Sequence, residues 1–153
     1  MSDKLRSAIF NVLGDISGLT VLDVFAGSGA VGLEALSRGA AHATCIDKDQ
    51  NAVRSIKENV ASLKVEKHIK VIQAPVYSWA ENSSDEFDLV LVDPPFDALQ
   101  LSAIHTAAQH IKKGGLCVLN YPSAEALPEL DGCTLIKQRT HGVAQLAFYR
   151  RDD

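Results

Sequence analysis

The feature that most constrains the fold is an alternation of short apolar runs with helical segments between residues 19 and 119. The apolar, β-branched runs predict buried strands, and the segments between them carry apolar residues at helical spacing. Strands joined by helices form a parallel sheet, because right-handed crossovers place the helices on both of its faces. The alternation therefore predicts an open α/β fold of Rossmann type.

The predicted elements follow one another in a regular order. An amphipathic helix over 4–13 comes first, and the strands of the alternation cover 19–25, 43–47, 69–72, 87–93 and 116–120. The helices between them cover 30–37, 49–63, 76–80 and 99–111, the last one ended by Gly114-Gly115. A short helix over 123–127 and two strands over 134–138 and 143–149, joined at His141-Gly142, complete the chain. The closing hairpin predicts a mostly parallel, seven-stranded sheet with an antiparallel edge strand.

Composition limits the classes of protein that the chain can represent. A length of 153 residues predicts a single domain over 1–153. Without an apolar run of about 20 residues or a signal peptide, we expect a cytoplasmic protein that does not enter membranes. The net charge of −4 gives no broad basic footprint for nucleic acid.

The cysteines and histidines predict no metal site, because their spacing is not that of metal ligands. Cys45, Cys117 and Cys133 lie far apart among apolar residues and are interpreted as buried, reduced thiols in strands. All five histidines are interpreted as surface or turn residues. We also expect a monomer.

A glycine-rich turn separates the first predicted strand from the helix over 30–37. Residues 27–32 read Gly-Ser-Gly-Ala-Val-Gly, which matches the pattern G-x-G-x-x-G. Glycines at these positions let the backbone turn sharply and let a ligand approach it closely. The pattern fits a nicotinamide dinucleotide, a methyl donor or a purely structural turn, so it does not choose among them.

Two acids flank this turn. Asp23 lies four residues before Gly27, and Asp47 ends the second strand twenty residues after Gly27. A carboxylate at Asp23 repels a pyrophosphate and suits the cationic amino-acid moiety of S-adenosylmethionine; its alternative role is that of a capping or turn acid. Asp47 can accept hydrogen bonds from the ribose hydroxyls of either cofactor. Together the two acids favour a methyl donor.

The motif Asp93-Pro94-Pro95-Phe96 follows the fourth strand and indicates the chemistry. Ligands of open α/β sheets bind beyond the carboxyl ends of the strands, so the motif is expected beside the glycine turn. There Asp93 and the Pro94 carbonyl can accept hydrogen bonds from an exocyclic amine, and Phe96 can stack on its ring. Two acceptors stabilise the positive charge that develops on the nitrogen during methyl transfer. A nucleic-acid base must then be splayed out of its stack.

Four stretches together resemble the bacterial small-subunit ribosomal RNA guanine-N2 methyltransferases. They cover residues 2–13, 23–39, 93–96 and 142–149, of which 23–39 is the most specific. The resemblance implies a class I S-adenosylmethionine-dependent fold and methyl transfer to guanine N2 in 16S ribosomal RNA. It also implies a small-subunit assembly particle as the partner, and a substrate already coated with proteins is compatible with the net charge.

The resemblance also implies a set of cofactor-binding residues. Besides Asp23 and Asp47, they are Phe25, Ala26, Gly27, Ser28, Gly29, Lys48, Ala74, Pro75 and Val76. Many related enzymes place Asp or Asn after the third strand to bind the adenine amino group, whereas Ala74-Pro75 stands there in this chain. Backbone groups near Ala74 and packing by Val76 are therefore expected to hold the adenine.

Three alternatives remain open on the sequence alone. The same acceptor motif serves a methyltransferase for adenine N6 or for another planar amine in DNA, RNA or protein. A nicotinamide-dependent oxidoreductase is the rival of a different class, and a binding-only protein is the third. Lys4, Arg6 and Arg38 are candidates for contacts with RNA phosphates or for solvated surface roles, because the basic segment that precedes the opening helix in the family does not precede it here.

Overall fold

The computed structural model describes residues 1–153, and its strands and helices alternate as the sequence predicts. The helices are α1 (Asp3–Leu13), α2 (Ala30–Ser37), α3 (Gln50–Leu63), α4 (Val76–Asn82) and α5 (Leu101–Ala108), with a 3₁₀ turn at Glu66–His68. The strands are β1 (Thr20–Val24), β2 (His42–Asp47), β3 (Ile69–Gln73), β4 (Phe87–Val92), β5 (Ile111–Pro122), β6 (Cys133–His141) and β7 (Ala144–Arg151).

All seven strands form one sheet in the order β3-β2-β1-β4-β5-β7-β6. Strands β1 to β5 are parallel, and β7 runs antiparallel to both β5 and β6. The predicted mostly parallel sheet with an antiparallel strand at one side is therefore confirmed. The chain order reverses between β1 and β4, which is where an open sheet leaves a crevice for a ligand.

Helices cover both faces of the sheet, as predicted. One hydrophobic cluster of 19 buried residues joins α1, α2 and α3 to the sheet, and a second cluster of 18 joins α4 and α5 to the opposite face. The central strand β1 contributes to both clusters, through Val21 on one face and Leu22 on the other. This alternation holds the carboxyl end of β1 rigidly at the centre of the molecule. None of the helices has the length and apolar character needed to cross a membrane.

The region around the paired glycines differs from its prediction. The helix predicted to reach Ile111 ends at Ala108, and Gly114-Gly115 lies within β5 rather than at a helix end. Pairing between β4 and β5 is irregular there, with Phe87 opposite Ile111 and Leu89 opposite Leu116. Gly114 has φ +76°, and a Cβ at Gly115 would lie 2.8 Å from the Asp88 carbonyl oxygen. The two glycines therefore allow a bulge in a strand.

Two further predictions were wrong. Residues 123–127 form a turn instead of a helix, because the Ser123 amide donates to the Val143 carbonyl across the chain. His110 is buried rather than at the surface, and its ring nitrogens lie 2.6 Å and 2.7 Å from the carbonyl oxygens of Asp85 and Ala80. The three cysteines lie in strands and are free, with Cys45 and Cys117 buried and Cys133 half-buried.

Candidate functional site

A cavity of about 480 Å³ opens beyond the carboxyl ends of β1, β2 and β4. Its volume lies within the range of roughly 300–1,000 Å³ that is usual for small-molecule sites. The structure brings together here eight of the residues predicted from the sequence, namely Phe25, Asp47, Lys48, Val76, Asp93, Pro94, Pro95 and Phe96. The lining also includes three residues that were not predicted, Met1, Gln100 and Asn120.

The glycine turn folds back sharply from the end of β1. Phe25, Gly27 and Gly29 all adopt left-handed backbone conformations, with φ +60°, +57° and +79°. Such a conformation is costly for phenylalanine, and strained residues of this kind cluster at ligand sites. The turn is closed by the Gly29 amide, which donates to the Ala26 carbonyl at 2.9 Å.

The third glycine of the pattern sets the distance between α2 and the sheet. A Cβ at Gly32 would lie 2.8 Å from Cys45 Sγ and 3.3 Å from Asp23 Oδ2. Because a real Cβ does not approach other atoms so closely, a side chain here would push α2 away from β1 and β2. Gly32 therefore serves close packing of the helix, while the earlier glycines shape the turn.

Asp47 supports the turn from the neighbouring strand. Its Oδ2 accepts a hydrogen bond from the Gly27 amide and its Oδ1 accepts one from the Asp49 amide, both at 2.9 Å. A carboxylate has about four lone-pair sites, so each oxygen can accept a further hydrogen bond from a ligand. Asp47 can therefore hold the turn and bind hydroxyl groups at the same time.

Asp23 is not part of the cavity wall. Its side chain is 2% exposed, and its Oδ2 accepts a hydrogen bond from the Gly32 amide at 3.1 Å. Burial raises the pKa of this carboxyl group to about 8, more than the hydrogen bond from Gly32 lowers it. The structure thus places Asp23 in the role given as its alternative, a turn acid that ties α2 to β1. The repulsion of a pyrophosphate by Asp23 is not what shapes this site.

The remaining residues predicted for the cofactor surround the cavity in two groups. Ala26, Gly27, Ser28 and Gly29 form the turn behind Phe25 without lining the cavity itself. Beside Asp47, the exposed Lys48 borders the opening. The Ala74 amide donates to the Asp47 carbonyl at 3.0 Å, and Pro75 forms the N-terminal cap of α4. Only buried Val76 of the segment 74–76 reaches the cavity.

The proline motif forms the wall opposite the glycine turn. Pro94 is buried, and its carbonyl oxygen accepts no hydrogen bond within the protein. The Phe96 side chain is 38% exposed, which is unusual for a large aromatic residue beside a cavity. Asp93 Oδ2 lies 3.9 Å from the Met1 nitrogen, and its Oδ1 accepts a hydrogen bond from Asn120 Nδ2 at 2.9 Å.

Sequence reasoning missed Asn120, which lies in β5 immediately beyond the pair formed by Leu119 and Val92. This position places it beside Asp93 at the same edge of the sheet. A single asparagine at the end of an apolar run gives no spacing signal. The one available indication was its position, because β5 neighbours β4 and polar residues that end neighbouring parallel strands meet at one edge.

Comparisons with known proteins match the whole arrangement. The family model described as conserved hypothetical protein 95 matches residues 1–150. The chain belongs to this family.

Relatives of this family member carry names from RNA methylation. It is 31% identical over 159 residues to YlbH of Bacillus subtilis, a candidate rRNA methyltransferase, and the match covers 98% of this chain and 86% of the relative. It is 28% identical to the ribosomal RNA small subunit methyltransferase D of Haemophilus influenzae, over 97% of this chain and 80% of the relative.

A solved structure supports the same grouping. The structure of YhhF from Escherichia coli, a candidate methyltransferase, superposes with a TM-score of 0.90 at 31% identity. The superposition covers 99% of this chain and 86% of that one. The fold of this family member is therefore the class I methyltransferase fold.

A second cavity adjoins the first in this family member. It is lined by Ser2, Lys4, Leu5, Phe96, Asn120, His141, Gly142, Val143 and Ala144. Phe96 and Asn120 are the two residues that line both cavities. The second cavity leads from the β6–β7 turn to the Asp93 side of the site, and Lys4 supplies a cation at its wall.

The other candidate cations near α1 are already paired. Glu34 Oε1 accepts from Arg6 Nε at 3.1 Å, and Glu34 Oε2 accepts from Arg38 Nε at 2.8 Å. The Arg38 guanidinium also lies 5.1 Å from the centre of the Phe10 ring. These contacts assign Arg6, Glu34 and Arg38 to the joint between α1 and α2, and leave Lys4 as the free cation beside the site.

Proposed function

We propose that this protein transfers a methyl group from S-adenosylmethionine to the exocyclic N2 amine of a guanine in 16S ribosomal RNA, within a small-subunit assembly particle. The observation that carries the proposal is the placement of Asp93-Pro94-Pro95-Phe96 and Asp47 on opposite walls of one cavity. The names of its relatives, which include a ribosomal RNA small subunit methyltransferase, support the same substrate class.

The residues present fit the proposed methyl donor. The cavity is large enough for a nucleoside with an attached amino acid, and Asp47 retains lone pairs for two ribose hydroxyls. Val76 offers an apolar surface for an adenine ring. Phe25 is held beside it by the left-handed turn. Bound S-adenosylmethionine supplies a methyl group on a positively charged sulfur.

The proline motif fits the acceptor. Asp93 Oδ2 and the Pro94 carbonyl oxygen are both available to accept the two N–H groups of a planar amine. Accepting both draws the nitrogen lone pair out of conjugation, so that the nitrogen can form a bond to the methyl carbon while the carbon–sulfur bond breaks and its electron pair stays on sulfur. Phe96 can stack on the base and fix its plane. In-line placement of the two partners supplies much of the remaining rate enhancement.

The decisive experiment maps the product. Small ribosomal subunits from cells that lack this protein are incubated with it and with labelled S-adenosylmethionine, and the RNA is digested to nucleosides for mass analysis. The proposal predicts N2-methylguanosine at one position of the 16S RNA. Label confined to protein, to DNA or to adenosine would refute the guanine assignment.

Variants link the product to the site. Asp93→Ala removes one of the two acceptors, and losses of this kind lower kcat by about 10²–10³-fold. The matched control is Asp97→Ala, because Asp97 is an exposed carboxylate in the same turn that lines neither cavity. Calorimetry with S-adenosylhomocysteine should give similar affinities for all three proteins. Binding of NADH without any binding of S-adenosylhomocysteine would instead favour an oxidoreductase.

A further inference from the structure

Asn120 carries a polar atom for which the protein provides no partner. The residue is 5% exposed, and its Oδ1 is the one buried side-chain oxygen or nitrogen in the structure without a hydrogen bond. Buried polar groups are almost always paired, because leaving one unpaired is costly. An unpaired amide oxygen beside a ligand cavity is therefore a candidate for contact with a ligand.

The orientation of the Asn120 amide follows from its other contact. The atom that lies 2.9 Å from Asp93 Oδ1 must be a donor, because a carboxylate oxygen accepts hydrogen bonds. That atom is Nδ2, so Oδ1 is the group left over. Asp93 and Asn120 thus present two acceptors side by side, one for the reacting amine and one for a neighbouring group.

The position of Asn120 makes it accessible to an incoming base. Asn120 and Phe96 are the two side chains shared by both cavities, so they form the barrier between them. A base that enters from the second cavity passes between these side chains before its amine reaches Asp93. Its ring can stack on Phe96 while its edge meets Asn120.

Nucleobase amines differ in the group that adjoins them on the ring. The N2 amine of guanine is attached to the carbon that also bonds N1, and N1 carries a hydrogen. The ring nitrogens beside the amines of adenine and cytosine carry none and act as acceptors. An acceptor placed next to Asp93 therefore complements guanine and opposes the other two bases, since two acceptors facing each other leave both unpaired.

We propose that Asn120 determines the base specificity of this enzyme: its Oδ1 accepts the N1–H of the target guanine while its Nδ2 holds the Asp93 carboxylate in place. The inference rests on the proposed function and adds the residue that selects guanine. Asn120 contacts the base but not the atoms that react, so its removal should alter the choice of base more than it alters methyl transfer itself.

The test replaces one hydrogen of the substrate. Once the methylated guanine is mapped, 16S RNA is ligated with 2-aminopurine at that position and reconstituted into small subunits. 2-Aminopurine keeps the exocyclic amine at the same carbon, but its N1 carries no hydrogen. A parallel substrate with 6-thioguanine, which keeps N1–H and changes the group at position 6, controls for the missing oxygen.

We expect wild-type protein to prefer guanine over 2-aminopurine by about 10- to 100-fold in kcat/KM, as for a buried acceptor left unpaired. Asn120→Ala should bring this ratio close to one. Asn120→Asp keeps an acceptor but loses the donor to Asp93, so it should slow both substrates and retain the preference. The control Gln145→Ala removes an equally buried amide, which bonds only the Pro122 and Glu125 carbonyls, and should leave the ratio unchanged.

The outcomes separate this inference from the function on which it rests. Equal use of both substrates by wild-type protein, or an unchanged ratio in Asn120→Ala, would overturn the role of Asn120 while methylation of guanine stands. An adenosine product in the mapping experiment would overturn the role of Asn120 together with the guanine assignment. Absence of any methylated nucleoside would refute the proposed function itself.

Discussion

The buried carboxyl group of Asp23 makes the stability of this protein depend on pH in a specific direction. Its folded-state pKa of about 8 lies well above the ordinary value of 3.8, because burial disfavours the charged form. The folded state therefore keeps the proton at pH values where the unfolded chain releases it. The stabilisation that this proton provides is complete below about pH 4 and is lost as the pH rises toward 8.

The size of the effect follows from the two pKa values. Each pH unit between them lowers the free energy of unfolding by about 1.4 kcal/mol, so a change from pH 5 to pH 7 costs about 2–3 kcal/mol at this residue alone. Asp23→Asn has no proton to lose, and its amide oxygen can still accept from the Gly32 amide. The variant should gain stability over the wild type as the pH rises.

Urea unfolding of both proteins at pH 5, 6, 7 and 8 measures this difference directly. Other titrating groups are shared by the two proteins, so their contributions cancel in the comparison. The free energy of unfolding of Asp23→Asn relative to wild type should rise by about 2–3 kcal/mol between pH 5 and pH 7. Parallel pH profiles would show that Asp23 is ionised in the folded protein, and the assignment of a buried, neutral acid would then be wrong.

Three further predictions concern the walls of the site. Asp47→Ala should weaken binding of S-adenosylhomocysteine at least about tenfold by calorimetry, because it removes two hydrogen bonds that hold the turn as well as the ribose acceptor. Asp49→Ala, which removes only a helix cap, is its control, and equal losses in both would contradict the role of Asp47. Gly32→Ala should lower the free energy of unfolding by about 1–3 kcal/mol, and adding Cys45→Ala should restore much of it in thermal unfolding; an unchanged loss in the double variant would exclude the clash with Sγ. Phe96→Ala should raise KM for small subunits without altering donor affinity, and an unchanged KM would argue against stacking.

The sequence predicts the fold of this chain well where one pattern dominates. The strands β1 to β4 and the helices α2 and α3 lie within about two residues of their predicted bounds, since buried parallel strands and amphipathic helices have distinct periods. The prediction fails at Gly114-Gly115, because paired glycines end helices and also permit bulges. Only the irregular pairing of β4 with β5 decides between the two.

The site was predictable to the extent that its residues belong to continuous motifs. The segment 93–96, Asp47 and Phe25 line the cavity as expected. Asp23 was assigned to the cofactor because the sequence shows its distance from the turn but not the direction of its side chain, which points to the Gly32 amide. Asn120 was missed because its importance comes from the strand that lies beside it, and strand order is a property of the folded sheet.

The insertion of β7 between β5 and β6 has a consequence for the synthesis of this protein. Strand β6 leaves the ribosome before its only partner, and the edge of β5 that carries Asn120 stays open until residues 144–151 follow. Domains fold as their segments emerge, so the base-binding side of the cavity is completed last. A ribosome that stalls before residue 144 would release a chain with β5 unpaired along one edge and β6 without any partner, and exposed strand edges of this kind promote aggregation.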